Sequence, residues 1–274
     1  MYYNRWEITV GGTDCIRLGK GKEINMKRFI SIALCLMMIA ATLVGCGKKV
    51  VSTGTTKKGG SGSESSATEA ENQGSNTTKK GDYSMVLSGS YTKLSEVPAA
   101  DLSKIDTEYQ STAPKKGEVV AILHTSYGDI KMKFFPEVAP KAVNNFIALA
   151  KAGKYDNTIF HRVIENFMIQ GGDYTNFDGT GGESIYGENF GYEISDYVLN
   201  TPGAVSMAHS SLPDSNGSQF YINQGNNDWL NGDYTVFGQV YEGMDVVNKI
   251  AACEKNGESP VEKITLKSVE VTTY

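Results

Sequence analysis

Phe160-His161-Arg162, followed after four residues by Phe167-Met168-Ile169-Gln170-Gly171-Gly172-Asp173, is the stretch on which the reading of this chain turns. It gathers a guanidinium, an amide and large apolar side chains in a short span closed by a glycine pair. No nucleophile stands beside a base, no carboxylates are paired, and no Cys/His spacing suits a metal. A site of this composition fits a reaction that needs neither proton transfer nor a covalent intermediate, so no cofactor or metal is expected. Arg162 is the candidate reactive group, because it stays charged at any working pH and presents a rigid donor fork. His161 is expected to be structural.

Outward from this stretch, regular elements begin beyond Gly117. Val119 to Thr125 is rich in β-formers, and Ile130, Met132 and Phe134 alternate with Lys131 and Lys133. With Ser126-Tyr127-Gly128 between them, the two runs predict a hairpin with one buried face. Pro140 suits the first turn of a helix whose Val143, Phe146, Ile147 and Ala150 form a stripe stopped at Gly153. Short strands are expected at Ala204–Met207, Ser218–Asn223 and Thr235–Val240, and a second helix from Met244 to Cys253. Ile264 and Leu266 alternate on one phase and Val269 and Val271 on the other, which predicts a bulge in the last strand. Many short strands with two helices predict a mainly β fold, a closed antiparallel barrel capped by two α-helices.

Toward the N-terminus the composition changes. Met26-Lys27-Arg28, an apolar run from Phe29 to Val44, and Leu43-Val44-Gly45-Cys46 have the layout of a secretory signal over residues 26–46. The last four residues resemble a bacterial lipobox, which implies lipidation of Cys46 and a membrane anchor on an extracytoplasmic face. Translation is then expected to start at Met26, with residues 1–25 an upstream extension. Residues 47–116 are expected to form a Gly/Ser/Thr/Lys-rich tether, disordered at first and partly ordered after 83. A flexible coil of about 70 residues has a reach of about 45 Å. The folded domain is expected at 117–274, long enough for one buried core.

The net charge of −5 and the lack of a basic stripe argue against nucleic acid as a partner. The four cysteines make no disulfide framework, and Cys253 is expected to be a buried, inert thiol. Gly179-Thr180-Gly181-Gly182 lacks the lysine and helix of a phosphate loop and reads as a surface turn. A monomer is expected.

Rotation about an X–Pro bond matches what the opening stretch offers. The peptide barrier is about 18–20 kcal/mol because the C–N bond has partial double-bond character. A catalyst must favour the twisted amide over either planar form. A guanidinium can donate to the prolyl nitrogen as its lone pair localises, an apolar cup can grip the ring, and a polar wall can steady the flanking backbone.

The blocks Phe160-His161-Arg162, Phe167 to Asp173, Gly179-Thr180-Gly181-Gly182, Asn216-Gly217-Ser218-Gln219-Phe220 and Trp229-Leu230 together resemble the cyclophilin family of peptidyl-prolyl isomerases, in its order and close to its spacing. The resemblance covers Gly117 to Tyr274. It implies catalytic roles for Arg162 and for Gln170, which orients substrate and supports the arginine. It implies a proline pocket walled by Phe167, Met168 and Leu230, with Gln219, Tyr221 and Tyr234 beside it. Ala208 and His209 would offer backbone to a proline-containing polypeptide, and Trp229 would stand at a rim that touches cyclosporin-type inhibitors in sensitive members. The sequence departs from the family pattern at Tyr221 (often phenylalanine), Tyr234 (often histidine) and His209 (often asparagine). It departs again at Glu165-Asn166 (often Pro-Gly) and in a longer loop from Ser210 to Ser215. These departures leave substrate preference and inhibitor affinity open. The expected function is isomerisation of X–Pro bonds in exported proteins. The alternatives are a proline-segment binding module or holdase with incidental turnover, and a transport-associated binding lipoprotein, for which the chain lacks the alternating βα pattern.

Overall fold

The computed structural model describes residues 82–274. The expectations for residues 1–25, for the 26–46 signal with Cys46, and for the tether up to residue 81 lie outside the described residues. Strands β1 (Val119–Thr125) and β2 (Gly128–Phe134) form the expected hairpin, closed at the Thr125/Gly128 pair. Ala121, Leu123, Ile130 and Met132 point into the core. Helix α2 (Pro140–Lys151) starts on its proline and buries the expected stripe. Its free N-terminal groups are met by Glu193, whose carboxylate accepts from the backbone N–H of Lys141 and Ala142 at 3.1 and 3.0 Å. Helix α3 (Met244–Ala251) ends two residues before the expected stop. Phe146 of α2 packs among Phe134, Tyr155, Phe220 and Phe237 at the centre of the core.

The remaining strands are β3 (Thr158–Ile159), β4 (Arg162–Ile164), β5 (Met168–Gly171), β6 (Ala204–Met207), β7 (Phe220–Asn223), β8 (Val236–Glu242), β9 (Lys255–Asn256), β10 (Ser259–Pro260) and β11 (Thr265–Thr273). Seven of these join β1 and β2 in one nine-stranded sheet, in the order β3-β11-β1-β2-β8-β6-β7-β5-β4, and β9 and β10 pair with each other. The bulge in β11 falls at Lys267: His124 pairs with Ser268 and Thr125 with Leu266. That extra residue flips the inward phase, which is why both Leu266 and Val269 are buried.

The closed barrel is corrected by this sheet order. The edge strands β3 and β4 share no ladder, so the sheet is a curled half-barrel. The physical reason is local. The two edges are consecutive in sequence, joined only by Phe160-His161, and the backbone N–H groups beside that link are taken by other partners than the opposite edge. Single backbone bonds flank the crossing instead, from Phe160 N–H to Ile264 O and from Val163 N–H to Glu258 O, at 3.0 and 2.7 Å.

A second correction concerns Lys133, which the alternation assigned with Lys131 to the polar face. It is buried, 7% exposed, because the segment before Gly117 lies over it. Its ammonium donates to Tyr109 O and Thr112 O at 2.6 and 2.5 Å and sits over the rings of Tyr109 and Phe135. Burial lowers its pKa. The same segment contains α1 (Ser84–Leu87) and adds Tyr83, Val86, Tyr91, Val97 and Ile105 to the core. The backbone of Tyr91 is held at both N–H and C=O by the buried Asn144 side chain. Cys253 is half-buried rather than buried, and burial raises its thiol pKa.

Candidate active site

The sheet register assembles the site. Strands β4 and β5 pair Arg162 with Gln170 and Ile164 with Met168, and β5 and β7 pair Gln170 with Tyr221. Directly opposed residues point to one face of a sheet. Arg162, Gln170 and Tyr221 therefore form a row across three strands, while Val163, Ile169, Phe220 and Ile222 turn to the opposite side and are fully buried in the main core.

On the first face lies a cavity of about 190 Å³, lined by Arg162, Phe167, Met168, Gln170, Ala208, His209, Tyr221, Leu230 and Tyr234. Met168, Tyr221 and Leu230 form its buried apolar floor. The cavity is smaller than the roughly 300–1,000 Å³ of drug-sized sites, and suits one small ring. Leu230 is delivered by a 3₁₀ turn, Asp228–Leu230. Trp229 in that turn is 56% exposed and lies against Phe167 with ring centroids 5.7 Å apart, so it stands at the rim rather than in the lining.

Gln219 lies one step outside, in a wider polar depression of about 650 Å³ that shares Gln170, Ala208 and His209 with the cavity. Its Nε2 donates to Gly179 O and Gly181 O, both at 2.8 Å, and its Oε1 accepts from Gln170 Nε2 at 3.0 Å. Gln170 Oε1 in turn accepts from Arg162 Nη1 at 3.4 Å, and Arg162 Nε donates to Glu258 Oε2 at 2.6 Å. The loop carbonyls, two glutamines and the guanidinium thus form one chain of contacts. The loop itself is organised by Asp173, whose buried carboxylate accepts from the backbone of Thr175, Asn176, Gly179 and Gly181. Burial pushes this carboxyl's pKa up, but the backbone N–H groups outweigh it and hold the value at about 2. The glycine run is therefore a turn wrapped on a carboxylate. Gly179 has φ +92°, and a Cβ there would stand 2.8 Å from His161 Nε2. His161 is buried beneath it, and burial lowers its pKa.

The departures from the resembled pattern have local explanations. The Tyr221 ring lines the cavity, while its hydroxyl donates to the buried Asn200 Oδ1 at 2.9 Å. Burial raises the pKa of that hydroxyl. Tyr234 meets Tyr221 edge-on and stacks on His209 at 4.1 Å, and Tyr192 covers the outer part of His209 at 4.6 Å. His209 is also placed between Ser210 O and Asp233 O, and Ala208 N–H bonds Gln219 O. Asn166 has φ +62°, a left-handed conformation that asparagine tolerates well.

The structure brings together every candidate except Gln219 and Trp229 around one cavity, and it sets those two beside it. Cys46 lies outside the described residues. Sequence reasoning missed Glu258, the loop-organising role of Asp173, and the buried Asn200 and Asn227 that brace the floor. Asn227 Nδ2 donates to Phe167 O at 2.9 Å. An Asn256-Gly257 turn signal could have placed Glu258 at a hairpin tip, but not against Arg162. Among the described residues no group of three His, Cys, Asp or Glu side chains could hold a metal.

Residues 120–271 match the family model described as cyclophilin type peptidyl-prolyl cis-trans isomerase/CLD. The chain is 48% identical over 150 residues to peptidyl-prolyl cis-trans isomerase cypE of Dictyostelium discoideum, a match covering 54% of this chain and 95% of that one. It is 49% identical over 153 residues to peptidyl-prolyl cis-trans isomerase 9 of Schizosaccharomyces pombe, spanning 25% of that longer protein. The crystal structure of a Cryptosporidium parvum cyclophilin type peptidyl-prolyl cis-trans isomerase, determined in the presence of the dipeptide Ala-Pro, superposes with a TM-score of 0.55 at 39% identity. That superposition covers 57% of this chain and 99% of the other. On this match across its folded region, the chain belongs to the cyclophilin-type peptidyl-prolyl cis-trans isomerase family.

Proposed function

We propose that this protein accelerates rotation about X–Pro bonds in exported polypeptides, working from a membrane anchor at Cys46. The observation that carries the catalytic part is the Arg162 guanidinium on the wall of a ring-sized cavity with an apolar floor. A prolyl ring seated on Met168, Tyr221 and Leu230 would bring its imide nitrogen toward that cation. As the amide twists, the nitrogen lone pair localises and a pre-set donor stabilises it more than either planar isomer. The solved relative's structure was determined in the presence of Ala-Pro, a dipeptide that carries such a ring. What supports export is the signal-like run from Met26 to Cys46.

The test is isomerisation of a short Xaa–Pro peptide with and without cyclosporin. The expected result is acceleration well above buffer, and no acceleration overturns the reading. The anchor is tested separately by mass spectrometry of the membrane fraction, where an N-terminal diacylated Cys46 is expected and an unprocessed chain in the soluble fraction would remove it. Tyr221→Phe is expected to keep kcat/KM within about twofold, because the ring stays and the lost hydroxyl points to Asn200. Its stability should fall by about 1 kcal/mol, read from the urea midpoint. A tenfold change in turnover would mean that the hydroxyl meets substrate.

A further inference from the structure

We infer that Glu258 is the positioning residue for Arg162, setting the guanidinium for the prolyl nitrogen before substrate arrives. This rests on the isomerase reading above. Two groups hold the guanidinium, and they are unequal. Gln170 Oε1 stands 3.4 Å from Nη1, long for a hydrogen bond. Glu258 Oε2 stands 2.6 Å from Nε, short and charge-assisted. The carboxylate occupies the single Nε donor, which leaves the Nη2 donors and one Nη1 donor for a substrate.

Glu258 is itself fixed. It is the second residue of the two-residue loop between β9 and β10, where Asn256 pairs with Ser259 and Gly257 takes φ +64°. Its carbonyl accepts from Val163 N–H at 2.7 Å, beside Arg162 in the chain. Lys255, on the same hairpin, donates to Ala251 O and Cys253 O at 2.8 Å and ties it to the end of α3. The hairpin tip is thus stitched to β4 by its backbone, and the side chain returns onto the neighbouring arginine.

The pair is half open to solvent, the two side chains being 40% and 56% exposed. Exposed ion pairs add little to fold stability, so its effect should be sought in rate. The carboxylate does two opposed things: it orders a flexible side chain, and it partly offsets the positive charge. Solvent screens the second effect at an exposed site. It does not replace the first, because a freed arginine must be re-ordered in every turnover. Orientation therefore dominates.

The experiment measures kcat and KM for an Xaa–Pro peptide with Glu258→Ala, Glu258→Gln and Glu258→Asp, together with the NMR signal of the Arg162 Nε–H group. Glu258→Ala is expected to lower kcat by about five- to tenfold with KM little changed, since the apolar floor is untouched. Glu258→Gln keeps an acceptor at the same reach and is expected to stay within about twofold of wild type. Glu258→Asp keeps the charge at shorter reach and should fall below the glutamine variant. The Nε–H signal should exchange slowly in wild type and be lost in Glu258→Ala. An alanine variant as fast as wild type, or faster, overturns the inference, as does an aspartate variant that outperforms glutamine. If Glu258→Ala does not fold, the Gln and Asp variants still decide. If wild type itself is inactive, the isomerase reading falls, while the NMR signal still tests the pair.

Discussion

Arg162→Ala should cost about 10²–10³ in kcat/KM for an Xaa–Pro peptide, the range seen when one pre-set donor to developing charge is removed. The loss should fall on kcat. The floor of Met168, Tyr221 and Leu230 and the rim ring of Trp229 do not depend on the guanidinium, so ring binding should persist. Arg162→Lys keeps the charge but not the fork. A single ammonium cannot satisfy Glu258 and Gln170 and still face the imide, so this variant should recover only part of the loss. The check is peptide isomerisation alongside binding of a proline-containing peptide, with circular dichroism to confirm folding. An alanine variant that is folded and within threefold of wild type would remove the central claim. A variant that loses isomerisation while cellular function persists would make the protein a proline-segment binder whose turnover is incidental.

The parts of this picture legible in the sequence are those where a period is long enough to read. The β1–β2 hairpin, the α2 stripe and the β11 phase change each span seven residues or more, and each lies where alternation or a 3.6-residue stripe predicted it. Strands β3, β4 and β5 hold two, three and four residues, too few for any period to emerge. Two of them, β4 and β5, nevertheless carry Arg162, Met168 and Gln170, so the candidate site was legible only from residue types and family blocks. The predominance of short strands was visible, but neither their number nor closure was, because closure depends on which edges meet. Lys133 read as solvent-facing for a similar reason. Its cover comes from Tyr109 and Thr112, on a segment whose composition resembles a linker. Glu258 shows the limit most plainly. It stands 96 residues from Arg162, and no local spacing connects them.

Asp173→Asn should be the most destabilising single change in the site region, by about 3 kcal/mol, and its effect should reach the chemistry. One carboxylate oxygen accepts from Thr175 and Asn176 and the other from Gly179 and Gly181. An amide can present an acceptor to only one of these pairs. Its NH₂ group must face the other, leaving buried donors unmet at about 1–3 kcal/mol each. The carbonyls of Gly179 and Gly181 hold Gln219, which holds Gln170, which touches Arg162. Specific activity per folded molecule should therefore fall as well. Acid provides an independent readout. The Asp173 pKa is held at about 2 in the folded chain, against 3.8 for an ordinary aspartate. Because it is depressed, its contribution is complete above about pH 4 and is lost as pH falls toward 2. The size is about 2 kcal/mol, from 1.36 kcal/mol per unit. Urea midpoints measured between pH 2 and 5 should drop steeply at the acid end for wild type and more gently for Asp173→Asn. Parallel curves would mean that the carboxylate does not organise the loop, and the link from loop to guanidinium would then have to run another way.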